Sequence, residues 1–167
     1  MIIRALAVFA QIIILYIFQT SVFPSFALAG VVPDLLIIPV VAVAFMRGSN
    51  RGMFTGLICG LIIDLTYSSF IGLFALMYML IGFLNGFASR IYDENDYTLP
   101  LFLVSVSELI YNLLYYVFFY FLNGRLNFGF YFFRFMIPRV IYTVLLSIFI
   151  YRLLNLENRF FKRFERE

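Results

Sequence analysis

The sequence predicts an all-α integral membrane protein, a compact six-helix transmembrane bundle forming one domain over residues 1–167. Three observations carry this reading. The chain is 64% hydrophobic and 13% charged, with a mean hydropathy of +1.00, whereas a soluble domain carries about a quarter charged residues. Its apolar residues gather into six stretches, and no loop between them is long enough to fold as a separate soluble domain. Finally, Gly52, Gly56, Gly60 and Asp64 recur at a constant spacing, and a second row follows at Gly82 and Gly86.

The first stretch, residues 5–23, closes at Pro24. With Arg4 before it and Phe26-Ala27-Leu28-Ala29 after it, it imitates a secretory signal peptide. The apolar run is longer than the ~7–15 residues of such a segment, so it reads as a span. The second, residues 32–46, is entered through Pro33-Asp34, and the third, residues 52–65, holds the glycine row. Both are short against the roughly 20 residues that a crossing needs. Either two helices cross a thinned or protein-lined region, or together they form a re-entrant hairpin. Two crossings are favoured, because Arg47 and Arg51 between them are costly to bury and cheap in the interface. The fourth, fifth and sixth spans are expected at residues 70–89, 99–122 and 130–154.

Basic residues set the expected orientation. Arg4, Arg47, Arg51, Arg90, Arg152, Arg159, Lys162, Arg163 and Arg166 fall on one side of a six-span plan, while Arg125 and Arg134 fall on the other. The positive-inside rule then places both termini in the cytoplasm. The tail, residues 155–167, sets Phe160, Phe161 and Phe164 against Arg159, Lys162, Arg163 and Arg166. It reads equally as a helix lying in the headgroup layer against anionic lipid, or as a charged stop-transfer end.

On a helix, residues four apart share a face. Gly52, Gly56 and Gly60 therefore leave a groove into which another helix can pack backbone to backbone, a main source of helix attraction in lipid. The third span is expected to be the most buried helix. Asp64 closes that stripe at the negative end of the helix dipole, where a carboxylate needs a partner. Asp34 and Asp64 are expected at similar depth, with Arg134 and Arg139 descending from the same side to form a polar network. Asp34, next to Pro33, reads first as a helix-start device. Glu108, with Asn112 one turn on, reads either as a cavity lining or partner contact, or as a structural carboxyl, protonated or hydrogen-bonded. Gln11, Asn85 and Ser105 read as helix-to-helix hydrogen-bonders, and the aromatics from Tyr111 to Phe121 as an interfacial belt.

Several chemistries have no residues to serve them. There is no His, and the single Cys, Cys59, rules out an internal disulfide and a Cys/His metal site. No phosphate-binding loop, nucleophile elbow or dinucleotide fingerprint occurs, so neither an enzyme nor a cofactor is expected. The net charge of +3 lies at span ends, which suits lipid and orientation and not nucleic acid. Two classes remain: an interaction protein docking through its grooves and aromatic ridge, and a transport subunit with a ligand cavity.

Pro33-Asp34-Leu35-Leu36, the row Gly52/Gly56/Gly60/Asp64, then Gly72-Leu73, Ala75-Leu76, Tyr78, Gly82 and Gly86 follow one another across residues 31–90. In that order and spacing the sequence resembles the MreD family of rod shape-determining proteins. Ile137-Pro138 in the last span and a short basic tail are similar to that family's C-terminal end. One departure is Ser68-Ser69-Phe70-Ile71, which stands where a Gly and a Pro are expected before Gly72. The resemblance implies a non-enzymatic subunit of the bacterial inner membrane, working in the cell-elongation machinery. It implies an MreC-type bitopic partner, and a link from cytoplasmic MreB filaments to a peptidoglycan glycosyltransferase and transpeptidase. It also implies an architecture similar to the substrate-binding subunits of energy-coupling-factor importers. A small-molecule-binding subunit of a vitamin-type importer is the alternative.

Overall fold

The computed structural model describes residues 2–27, 30–68, 71–91, 93, 96–124 and 127–164, with side chains described from Leu6 to Phe160. Within them the chain is helical, in six successive rods. α1 (Ile2–Ile17) runs on through a π-turn (Phe18–Val22) and a 3-10 turn (Phe23–Phe26). α2 (Ile37–Arg47) and α3 (Ser49–Tyr67) form a tight hairpin about Gly48, whose φ of 91° suits glycine. α4 (Leu73–Asn85) tightens into a 3-10 segment (Gly86–Ile91), and α5 (Thr98–Tyr116) ends in a π-turn (Val117–Phe121). α6 (Phe128–Tyr131), a π-turn (Phe132–Met136) and α7 (Ile137–Phe164) form the last rod.

Proline explains two of the three π-turns. Its ring crowds the carbonyl four residues back and it donates no hydrogen bond. For Pro24 that carbonyl belongs to Thr20 and for Pro138 to Arg134, each inside a widened turn. Pro39 and Pro100 sit in the first turns of α2 and α5, where the missing N–H costs nothing.

Among the described residues four helices are long and apolar enough to cross a membrane: Leu6–Phe26, Leu73–Ile91, Thr98–Phe121 and Phe128–Phe160. The chain is a membrane protein with an all-helical, bundle-compatible fold. The two short stretches behave differently from each other. α3 reaches 19 residues, about 28 Å, longer than the 52–65 expected. α2 has only 11, about 16 Å, because the chain from Val31 to Leu36 is not helical.

α2, and not α3, is the most buried helix. Ile37 to Phe45 are buried without interruption, whereas α3 buries only its Gly52/Thr55/Gly56/Cys59/Gly60/Ile63/Asp64 face. The reason lies in the sequence: α2 is apolar all round, while the glycine row defines one face of α3. A short helix wrapped by protein has no lipid thickness to match. α1 is the most peripheral rod, with 6% of its apolar window buried and Ile12 reaching the core.

Two further expectations change. α7 continues to Phe164 with no break after residue 154, and Asn155 and Asn158 are buried on it. The start of the tail is thus an extension of the last rod and not a separate helix lying flat. Arg159 is half-buried and Phe160 is exposed, while the side chains of Phe161, Lys162, Arg163 and Phe164 lie outside those described, as does Arg125. The aromatic run also serves the interior more than a belt. Tyr111 and Tyr116 are buried, Tyr116 and Tyr120 pack on Tyr131 at 5.1 and 4.9 Å, and Phe119 stacks on Phe74 at 5.7 Å. Phe118 and Phe121 face outward.

Candidate functional site

Two structures hold the bundle together, a glycine seam and a polar junction. The seam joins α3 to α4 running antiparallel. A Cβ built on Gly52 would lie 2.6 Å from the Gly82 carbonyl oxygen, one on Gly56 2.2 Å from that of Tyr78, and one on Gly60 2.3 Å from the Ala75 Cα. From the other side, Gly82 meets the Gly52 backbone and Gly86 that of Ser49. Every one of these contacts is to backbone, which cannot swing aside. Each turn forward on α3 therefore meets one turn back on α4, and any side chain at these positions forces the helices apart.

The same register settles Asp64. One turn beyond Gly60, its carboxylate arrives at the start of α4. It accepts from the backbone N–H of Gly72 at 3.0 Å, Phe74 at 3.2 Å and Ala75 at 2.9 Å. Asp64 is 1% exposed, and among the described residues these N–H groups are its donors. The open N–H groups and positive dipole end of α4 match the negative charge. Gly72, at φ 114°, turns the chain so that its own N–H joins in. The expected network thus divides: Asp64 is a helix cap for α4 and not a partner of Arg139.

The polar junction gathers around Asp34, just before α2. Its Oδ1 accepts from the N–H of Leu36 at 3.1 Å and Ile37 at 3.3 Å, the helix-start role. Its Oδ2 accepts from the Tyr78 hydroxyl and lies 3.7 Å from the Arg139 guanidinium. The Asp34 N–H donates to Thr143 Oγ1 at 3.0 Å, and Gln19 Oε1 accepts from Leu35 N–H at 2.8 Å. Arg139 Nε stands 3.1 Å from Glu108 Oε1, and its Cζ lies 5.2 Å over the Tyr111 ring. Asn112 Nδ2 donates to the Glu108 carbonyl at 2.7 Å and to Oε1 at 3.1 Å. Asp34, Tyr78, Glu108, Asn112 and Thr143 are fully buried, and 21% of the Arg139 side chain is exposed.

Asp34 and Arg139 are therefore brought together, with Glu108 and Asn112 in the same junction. Arg134 is exposed on the π-turn before α7 and takes no part in it. Five residues exceed one turn at 3.6 residues per turn, so Arg134 does not share the face of Arg139. Asn85 does bond across helices, to Ser107 Oγ at 2.7 Å, but Ser105 turns back on its own helix to the Leu101 carbonyl at 2.9 Å. Gln11 lines a narrow gap of about 20 Å³ with Arg47, Glu157 and Asn158.

Tyr78, Tyr111, Thr143 and Gln19 enter the junction without having been singled out for it. Helical spacing carries a signal for two of them: Tyr78 is one turn before Gly82, and Thr143 one turn after Arg139. Chemically, the junction pins the α2 start to α4, α5 and α7 and uses its polar groups on one another. Among the described residues no group of three His, Cys, Asp or Glu is placed to hold a metal ion. A groove of about 280 Å³ lies elsewhere, between α5 and α7, lined by Tyr97, Leu101, Ile148, Tyr151 and Arg152.

The family model described as rod shape-determining protein MreD matches residues 1–157, nearly the whole chain. No curated protein and no solved structure matches it.

Proposed function

The chain belongs to the MreD family of rod shape-determining membrane proteins, and from that premise we propose that it is a non-enzymatic scaffold of the bacterial cell-elongation complex. In this reading it sits in the inner membrane with both termini in the cytoplasm. It binds an MreC-type bitopic protein and helps couple MreB filaments to the peptidoglycan glycosyltransferase and transpeptidase. The observation that carries the reading is the family match over residues 1–157.

The chemistry of the bundle supports it. Asp34 and Asp64 are engaged with helix starts and with Tyr78, and Arg139 with the junction, so they hold helices and do not face a substrate. What the bundle offers to other molecules is apolar helix surface, including Phe118, Phe121, Phe130 and Phe133 near one end. Basic residues at the opposite end, Arg51, Arg90 and Arg152, are exposed and suit anionic lipid and a cytoplasmic position.

A small-molecule-binding subunit of a vitamin-type importer is the second reading, with an architecture like the energy-coupling-factor substrate binders. The groove of about 280 Å³ favours it, being close to the lower size of ligand pockets, about 300 Å³. Against it, Glu108 and Asn112 line neither that groove nor the gap at Gln11. Removing the gene from its host separates the two. Loss of rod shape, restored by the chain, supports the scaffold; rod-shaped cells with a vitamin-uptake defect support the importer.

A further inference from the structure

The junction contains two carboxyls, Asp34 and Glu108, and one cation, Arg139. Among the described residues the other groups facing it carry no formal charge: Gln19 from the π-turn after α1, Tyr78 from α4, Tyr111 and Asn112 from α5, and Thr143 from α7. Two ionised carboxylates would leave one surplus negative charge in the bundle, which is costly in a membrane interior.

Hydrogen bonding distinguishes the two carboxyls. Asp34 is fully provided for as a carboxylate, with two N–H donors on Oδ1 and Tyr78 and Arg139 on Oδ2. Glu108 is not. Its Oε2 is buried with no hydrogen-bond donor, and Asn112 Oδ1 is likewise buried with none. One hydrogen placed between these two acceptors would satisfy both. The Asn112 amide cannot be turned over to supply the donor. Its Nδ2 donates to the Glu108 backbone carbonyl at 2.7 Å, and a carbonyl only accepts.

We propose that Glu108 is a neutral carboxylic acid locked in an acid–amide pair with Asn112, the proton on Oε2 donated to Asn112 Oδ1. The amide donates in return to Oε1 at 3.1 Å. The pair is a built-in proton-binding site one helical turn long, and it renders the junction neutral, one guanidinium to one carboxylate. Arg139 Nε sits beside Oε1 at 3.1 Å without donating an aligned hydrogen bond.

Infrared spectroscopy of the purified protein in lipid at neutral pH reads the proton directly. A carboxylic-acid C=O band is expected, absent from Glu108→Gln and moved to higher wavenumber in Asn112→Val, where Oε1 loses its amide donor. A band that persists in Glu108→Gln, one unmoved by Asn112→Val, or no acid band at all overturns the proposal. Stability supplies the second arm. Gln keeps the shape of the neutral acid, with an acceptor and a donor and one hydrogen more, so Glu108→Gln should unfold near the wild-type temperature while Glu108→Ala unfolds lower. Equal losses in the two variants would mean that Glu108 acts as an ionised partner of Arg139.

Discussion

Gly56→Ala sets two effects of known size against each other. Alanine favours a helix over glycine by about 1 kcal/mol, so at an open position the change stabilises. At Gly56 the new Cβ would sit 2.2 Å from the Tyr78 carbonyl oxygen, where ordinary contact begins near 3.4 Å. α3 and α4 must then part by about 1 Å, and a gap of that size forfeits a quarter to a half of each dispersion contact. With about 0.15 kcal/mol per atom pair and on the order of 50 pairs along the seam, the loss is about 2–4 kcal/mol. The clash wins, and Gly56→Ala should destabilise by about 1–3 kcal/mol. Cys59, the single and fully buried thiol on α3, makes the assay: a fluorogenic thiol dye reacts as the helix opens on heating. Gly129→Ala is the control, since its Cβ meets nothing within 4 Å, and it should be neutral or slightly stabilising. If Gly56→Ala unfolds at or above the wild-type temperature, the seam is not a close backbone contact.

Asp64→Ala strips three N–H groups of their acceptor and should cost about 2–5 kcal/mol by the same dye assay; Asp64→Asn, keeping one oxygen, should cost about half. Arg139→Ala should cost about 3–5 kcal/mol, because it leaves Asp34 short of a charge partner. In a double-mutant cycle Arg139→Ala should couple to Asp34→Asn and be additive with Asp64→Asn; the reverse pattern would put Asp64 in the junction. In a Cys59→Ala background, cysteines at residues 27 and 124 should label from outside sealed cells and one at 49 should not, and labelling at 49 would overturn the orientation.

The glycine seam was legible because its period is written in the chain, and glycine is the residue that lets backbones touch. The partner of Asp64 was legible in principle too. Pairing the two glycine rows antiparallel, Gly52 with Gly82, carries Asp64 to the start of α4 with no further information. The dipole argument rightly required a positive partner but looked for it among arginines, when a helix start supplies the same charge. The junction was harder to see. Ser107, Glu108 and Asn112 mark one face of α5, but which neighbouring helix that face meets is fixed by packing. Arg134 was misplaced because it stands five residues before Arg139, more than one turn at 3.6 residues per turn, and so lies on another face. α2 proved the centre of the bundle since uniform apolarity marks burial more surely than a glycine stripe does, and its short length is what enclosure by protein permits.

The claim that this bundle works by holding other membrane proteins is tested most directly by purifying it, gently solubilised, from the membrane where it is made. Native mass spectrometry should then give the mass of the chain with a bitopic, periplasmic-domain partner in fixed stoichiometry, and the Gly56→Ala variant should retain less of that partner. A chain recovered alone, carrying a tightly bound small molecule, would contradict the scaffold and point to the importer.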